Sequence, residues 1–163
     1  MKSNTSLFLG FLVFLFPSLA SPAEDFQTCS LLTAAEIKEI AGVTVRGGTQ
    51  DMMGELFQCS WAAEEENAAS PMISFQKTGA DGKTICNQRY ELDKKNQRYK
   101  SDVTGLGEKA WWTFHKQADF FIGGVNVCGP SGILRVSLWG PGEEAKMKKV
   151  AEGLAKKAYE RLK

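Results

Sequence analysis

Four cysteines, Cys29, Cys59, Cys86 and Cys128, carry the most definite chemistry in this chain. An even set of thiols can close entirely as disulfides, and four allow three connectivities. Thiolates also hold zinc, and paired thiols exchange electrons, but both uses favour a Cys-x-x-Cys arrangement. These cysteines are scattered with no such pair. Disulfides are therefore the expected state, and unpaired buried thiols are the remaining alternative. The chain divides into two halves, each with one cysteine near a helix start and another on a strand. That layout favours Cys29–Cys59 and Cys86–Cys128. Closing loops of this size contributes roughly 3–4 kcal/mol apiece in the chain-entropy account, less any strain.

The other chemistry-bearing groups form no constellation. His115 is the single histidine, so a histidine-dependent triad would have to use it. It sits beside a turn in Trp-Thr-Phe-His-Lys-Gln, no Gly-x-Ser-x-Gly accompanies it, and it reads as an exposed strand-end residue. Glu64-Glu65-Glu66 lies in a polar connection, where a solvated charge run is expected. Two carboxylates across a cleft would suffice for glycoside hydrolysis, which keeps a cell-envelope hydrolase as an alternative reading. Gly105-Leu106-Gly107 falls short of a dinucleotide-binding fingerprint and lacks its strand-to-helix context. No cofactor or metal is expected.

These groups must be positioned in an exported domain. Lys2 precedes an apolar run, Leu7 to Phe16, which Pro17 breaks; small residues then allow cleavage after Ala20 or Ala23. Residues 1–23 read as a signal peptide and 24–163 as a single domain. The run is shorter than the roughly 20 apolar residues a bilayer span needs. Cys29 lies too far downstream, after Phe26-Gln27-Thr28, to serve as a lipid-anchor cysteine. The expected location is periplasmic or secreted, with no stable membrane insertion once the signal is removed. The net charge of +1 argues against nucleic acid as a partner, since phosphate binding needs a concentrated basic face. A locally basic stretch over 83–100 reads as a solvated helix face.

The elements follow from pattern. Thr33-Ala34-Ala35-Glu36 is a capping box, Leu32 and Ile37 have staple spacing, and Gly42 supplies a left-handed stop, which predicts a helix from Ala34 to Ala41. Strand signals follow at Val43–Val45, Leu56–Ala63 and Met72–Lys77. A second helix is expected from about Thr84 to Arg98. Ala110–His115, Phe120–Cys128 and Ile133–Trp139 then read as a meander, with Gly123-Gly124 marking a bulge or a close backbone approach. Pro141-Gly142-Glu143-Glu144 opens a last amphipathic helix. The fold class is α+β: a mostly antiparallel sheet of about six strands, helices packed on it, and two disulfides.

Aromatics are the remaining surplus. Trp111-Trp112 and Phe120-Phe121 are adjacent pairs on strands, so each pair sends side chains to opposite faces. Either the sheet is covered on both sides, or Trp111, Trp112, Phe120 and Phe121 supply a patch for a partner or ligand. A third use of this region is as a rigid inhibitory hairpin, Asp119 to Trp139, that plugs another protein's site.

Cys29-Ser30-Leu31-Leu32-Thr33, Cys59-Ser60-Trp61, Val103-Thr104-Gly105-Leu106-Gly107-Glu108-Lys109-Ala110 and the Ala/Leu-rich final helix together resemble a group of small exported bacterial domains of unknown function. That group is found mostly in actinobacterial lipoproteins. The resemblance spans most of the mature chain and implies an α+β fold with a Cys29–Cys59 bridge; it implies no activity. This chain departs from it in lacking the lipid-anchor cysteine. The reading with most support is a non-catalytic exported module that binds an unknown protein or small ligand in the cell envelope.

Overall fold

The computed structural model describes residues 26–162, so the expected signal segment lies outside the described residues. The first helix, α1 (Ala34–Ala41), forms where local chemistry dictates. Thr33 Oγ1 accepts from the Glu36 amide at 3.2 Å, and the Glu36 carboxylate accepts from the Thr33 amide at 2.9 Å. Gly42 ends the helix at φ +72°, a conformation that a Cβ would strain. Leu32 and Ile37, either side of the cap, are both buried.

Seven strands make one sheet: β1 (Thr49–Met53), β2 (Leu56–Ser60), β3 (Ser70–Lys77), β4 (Tyr99–Val103), β5 (Lys109–Gln117), β6 (Phe120–Gly129) and β7 (Gly132–Gly140). Their order is β1-β2-β3-β7-β6-β5-β4, and every neighbouring pair is antiparallel. The chain thus lays down two meanders, β1–β3 and β4–β7, joined where β3 pairs with β7. Helix α2 (Gly82–Lys95) carries the chain from β3 to the far edge. Helix α3 (Glu144–Glu160) closes the fold.

The expected count of six strands is corrected to seven. Val43–Val45 forms only an isolated bridge, Val45 to Ala63, and the edge strand is instead the polar segment Thr-Gln-Asp-Met-Met of β1. Its pairing to β2 comes from backbone hydrogen bonds, because its side chains are mostly exposed. The expected meander β5–β6–β7 is present. The β6 glycines mark close approach and no bulge, since β6 pairs in continuous register with β5 and β7. A Cβ on Gly123 would run into the buried Trp112 ring.

Alternation along the central strands builds two cores. On one face Ile73, Trp112, Val125, Val127, Leu134 and Val136 meet α3, which buries Met147, Ala151, Leu154, Ala155 and Ala158. Each large side chain so buried contributes about 1.5–3 kcal/mol. On the other face Trp111, Cys128 and Ile133 meet Cys86 and Tyr90 of α2 in a smaller cluster. The sheet is therefore covered on both sides near its centre, which is why adjacent tryptophans on one strand are both inside.

Both expected disulfides are formed: Cys29–Cys59, with Cα atoms 5.1 Å apart, and Cys86–Cys128, 6.1 Å apart. The first joins the short helical turn Thr28–Leu31 to β2 within the larger core; the second pins α2 to β6 within the smaller one. Two bridges with no free cysteine place the folded chain in an oxidising, non-cytoplasmic compartment. No described helix is long and apolar enough to cross a membrane.

Candidate binding site on the half-covered sheet face

Helix α2 covers only one end of its face of the sheet. Register identifies what lies beneath and beyond it. Trp111, Asn126, Arg135 and Ser74 are directly opposed on β5, β6, β7 and β3 and share that face. The next row on that face holds Thr113, Gly124 and Ser137. Such polar residues are unusual on four central strands. A sheet that packed a helix over this whole face would carry apolar residues there, as the opposite face does.

Arg135 dominates this surface. Its stem lies over Gly124, where a Cβ would stand 3.1 Å from Arg135 Nε and 3.0 Å from Ser137 Oγ. Arg135 Nε donates to Ser137 Oγ at 3.0 Å. Among the described residues Arg135 has no carboxylate partner; the ion pairs are Lys148–Glu152 and Arg161–Glu36. Burial, followed by the nearby Arg89 charge, pulls the Arg135 pKa below its usual value, while Asp93 opposes both. Guanidinium remains protonated in proteins, so the fold holds a half-buried cation that senses the Asp93 charge but has no carboxylate in ion-pair contact among the described residues.

Two further polar atoms nearby lack partners. Asn126, directly opposite Arg135, is 1% exposed, and its Nδ2 is buried without an acceptor. His115, half-buried on β5, has a buried Nδ1 with no partner. Burial, then the charges of Arg98 and Arg135, lower the His115 pKa and favour the neutral ring. The acid that both His115 and Arg135 sense is Asp93 of α2. Its Oδ2 is already engaged, accepting from the buried Trp111 indole at 2.9 Å. The charges that Arg135 senses are those of the exposed Arg89 and Arg98 and of the buried Asp93.

Beyond the charged centre the same face turns aromatic. Phe120 meets Trp139 edge-on, 5.9 Å between ring centroids, and Trp139 is 47% exposed. Of the four aromatics expected to meet a partner, Phe120 alone faces this open region. Trp111 and Trp112 are 0% and 1% exposed and offer no surface, which corrects that expectation for both. Trp111 belongs to the α2 cluster, whereas Trp112 lies under α3 and donates its indole N–H to Glu144. Phe121 is half-buried on the α3 side, stacked on Phe114 at 5.2 Å.

Other expected features resolve differently. His115 is not the exposed residue its neighbours suggested. Asp119–Trp139 does form a hairpin, β6 and β7, and both strands are central in the sheet, each paired on both sides. In the loop run Glu64–Glu66, Glu65 accepts from the Thr44 amide at 3.2 Å and ties two loops together. The larger surface hollows lie elsewhere. One, of about 430 Å³, sits between the β6–β7 turn and the end of α3, lined by Phe75, Pro130, Tyr159 and Leu162. It gathers no orphaned polar atom. Volume and chemistry disagree here; chemistry is the better guide, because an uncompensated buried charge costs far more than an open apolar hollow.

Sequence reasoning passed over Arg135, Asn126 and Ser137. Their signal was present in Ile133–Trp139: Leu134, Val136 and Leu138 alternate onto one face, leaving Arg135 and Ser137 on the other face of a strand that proves central. No family model, curated protein or solved structure matches this chain.

Proposed function

We propose that the mature chain is a non-catalytic module, periplasmic or secreted, that binds a small ligand or a segment of a partner protein on the sheet face α2 leaves open. The observation that carries this reading is the set of donors the fold leaves unanswered there, Arg135 and Asn126 Nδ2, beside the exposed Trp139. Buried polar groups in folded proteins are almost always satisfied, so a cluster of orphans beside an exposed aromatic signals a missing occupant. The acids around Trp111, Asp93 and Asp102, accept from the Trp111 indole and the Tyr90 hydroxyl, so both are engaged in contacts that hold the fold. The resemblance to exported bacterial domains agrees with an envelope location.

The test is NMR titration of the isotope-labelled mature domain with size-fractionated extract of the native envelope. The expected result is shifts confined to Asn126, Arg135, Ser137, Trp139 and their neighbours. Shifts confined to the α3 side, or none from any fraction, would overturn the reading.

A further inference from the structure

We infer that the occupant of this face is an oxyanion group, a carboxylate or phosphate, received by the Arg135 guanidinium and the Asn126 side-chain amide. This rests on the binding face proposed above and names the chemistry it takes.

The charge balance is the first argument. A cation removed from water is ordinarily paired, because its desolvation is otherwise uncompensated. Arg135 is half-buried on a central strand, and its one hydrogen bond runs from Nε to the neutral Ser137 hydroxyl. The two terminal nitrogens make no hydrogen bond to a described residue. Arg89 and Arg98 add positive charge, and Asp93 is committed to Trp111. Arg89 and Arg98 are exposed and solvated, so the unmet demand is that of the half-buried Arg135 itself, whose terminal nitrogens no carboxylate reaches; an anion answers it.

Donor geometry is the second argument. A guanidinium presents a planar fork of N–H groups that matches two oxygens of a carboxylate or phosphate. Asn126 stands directly opposite Arg135 across the β6–β7 ladder, with Nδ2 buried and unanswered. Gly124 leaves room for the Arg135 guanidinium, since a Cβ there would stand 3.1 Å from Nε. An oxyanion in this position satisfies both residues at once. A neutral ligand would answer Asn126 and leave the charge uncompensated.

The experiment uses the labelled mature domain with both disulfides intact. Inorganic phosphate, acetate and benzoate are titrated at constant ionic strength against sodium chloride. Signals of Asn126 Nδ2H₂, Arg135 Nε–H and the Trp139 indole are followed. The expected result is saturable movement from at least one oxyanion, with a dissociation constant in the roughly millimolar range or tighter, and no movement from chloride. Phosphate binding tighter than acetate assigns a phosphate-bearing ligand, and the reverse order a carboxylate.

Two variants make the assignment specific. Arg135→Gln is expected to weaken binding at least tenfold. Asn126→Asp places a carboxylate where the ligand's would be; it is expected to abolish anion binding and to raise the thermal midpoint in chloride above the parent's. Because Asn126→Asp supplies the missing charge, it keeps the test decisive should Arg135→Gln fold poorly. Absence of saturation with every oxyanion overturns the inference, as does an Asn126→Asp protein that binds oxyanions like its parent. If the oxyanions fail while an envelope fraction still moves these signals, the face is a binding site for an uncharged ligand and only the anion assignment falls.

Discussion

Substituting Glu36 by Gln isolates one electrostatic contribution that ties the ends of this domain together. Arg161, just past α3, grips the Glu36 carboxylate with both terminal nitrogens, at 2.7 and 2.8 Å, and donates to the Leu31 carbonyl at 2.7 Å. The Arg161 hydrogen bond is the main cause that holds the Glu36 carboxyl at about 2, against an ordinary 4.5; burial opposes it, and the Thr33 amide assists. At face value that depression corresponds to about 3 kcal/mol. The Arg161 side chain is 39% exposed and that of Glu36 16%, so solvent screening reduces this to roughly 1–2 kcal/mol. Gln can still accept from the Thr33 amide, so the capping box survives and the charge alone is lost.

The sign is fixed by the direction of the shift. A depressed carboxyl stabilises the fold fully above its unfolded value of 4.5 and loses that contribution as pH falls toward 2. Glu36→Gln should therefore lower the thermal midpoint by about 4–8 °C at pH 7, at roughly 4 °C per kcal/mol for a domain of this size. The gap should shrink steadily between pH 4.5 and pH 2. Circular dichroism melts of parent and variant across that range measure it. A gap of equal size at pH 7 and pH 2 would refute the charge argument and leave packing or helix propensity as the cause.

Gly123→Ala forces a methyl into the Trp112 ring and is expected to cost about 2–3 kcal/mol, read as a lower urea midpoint with an unchanged slope. Replacing Cys86 and Cys128 together by Ala opens a loop with a sequence separation of 42 and should cost roughly 4 kcal/mol in guanidinium unfolding; a loss under about 1 kcal/mol would show that the unfolded chain is little constrained by this bridge. Asp93→Ala leaves the buried Trp111 indole N–H without its acceptor and is expected to cost about 1–3 kcal/mol, with a change in tryptophan fluorescence. Ala118, at φ +52° in the β5–β6 turn, is strained; Ala118→Gly should raise the denaturation midpoint by the equivalent of about 0.5 kcal/mol, and a drop would mean the turn tolerates Ala without strain.

Sequence was most legible where local chemistry decides structure. The capping box of α1 and the Gly42 stop need only neighbours a few residues away, and both are as read. The disulfide pairing followed from layout because each half closes on itself. Strand β1 was missed because its side chains are exposed, so no periodicity marks it; its partner β2 makes it a strand. His115 was misjudged for a related reason. Its burial comes from packing within the sheet, and the charges it senses, Arg98, Arg135 and Asp93, do not adjoin it in sequence. The candidate site was illegible as a whole, because register across separate strands brings Arg135, Asn126 and Ser74 into one row. The adjacent tryptophans drew attention as a surface, whereas the half-coverage by α2 that decides which face is open is a tertiary fact.

The grip of Arg161 on Leu31 and Glu36 has a practical consequence. It brings the first and last described segments to the same corner, where Phe26, Arg161 and Leu162 line one hollow on the α3 side. A tether attached just before Phe26 or just after Leu162 starts from that corner. A short bridge between Phe26 and Leu162 would join the described segments into a circular permutant, with new ends best opened in the exposed Glu64–Asn67 loop.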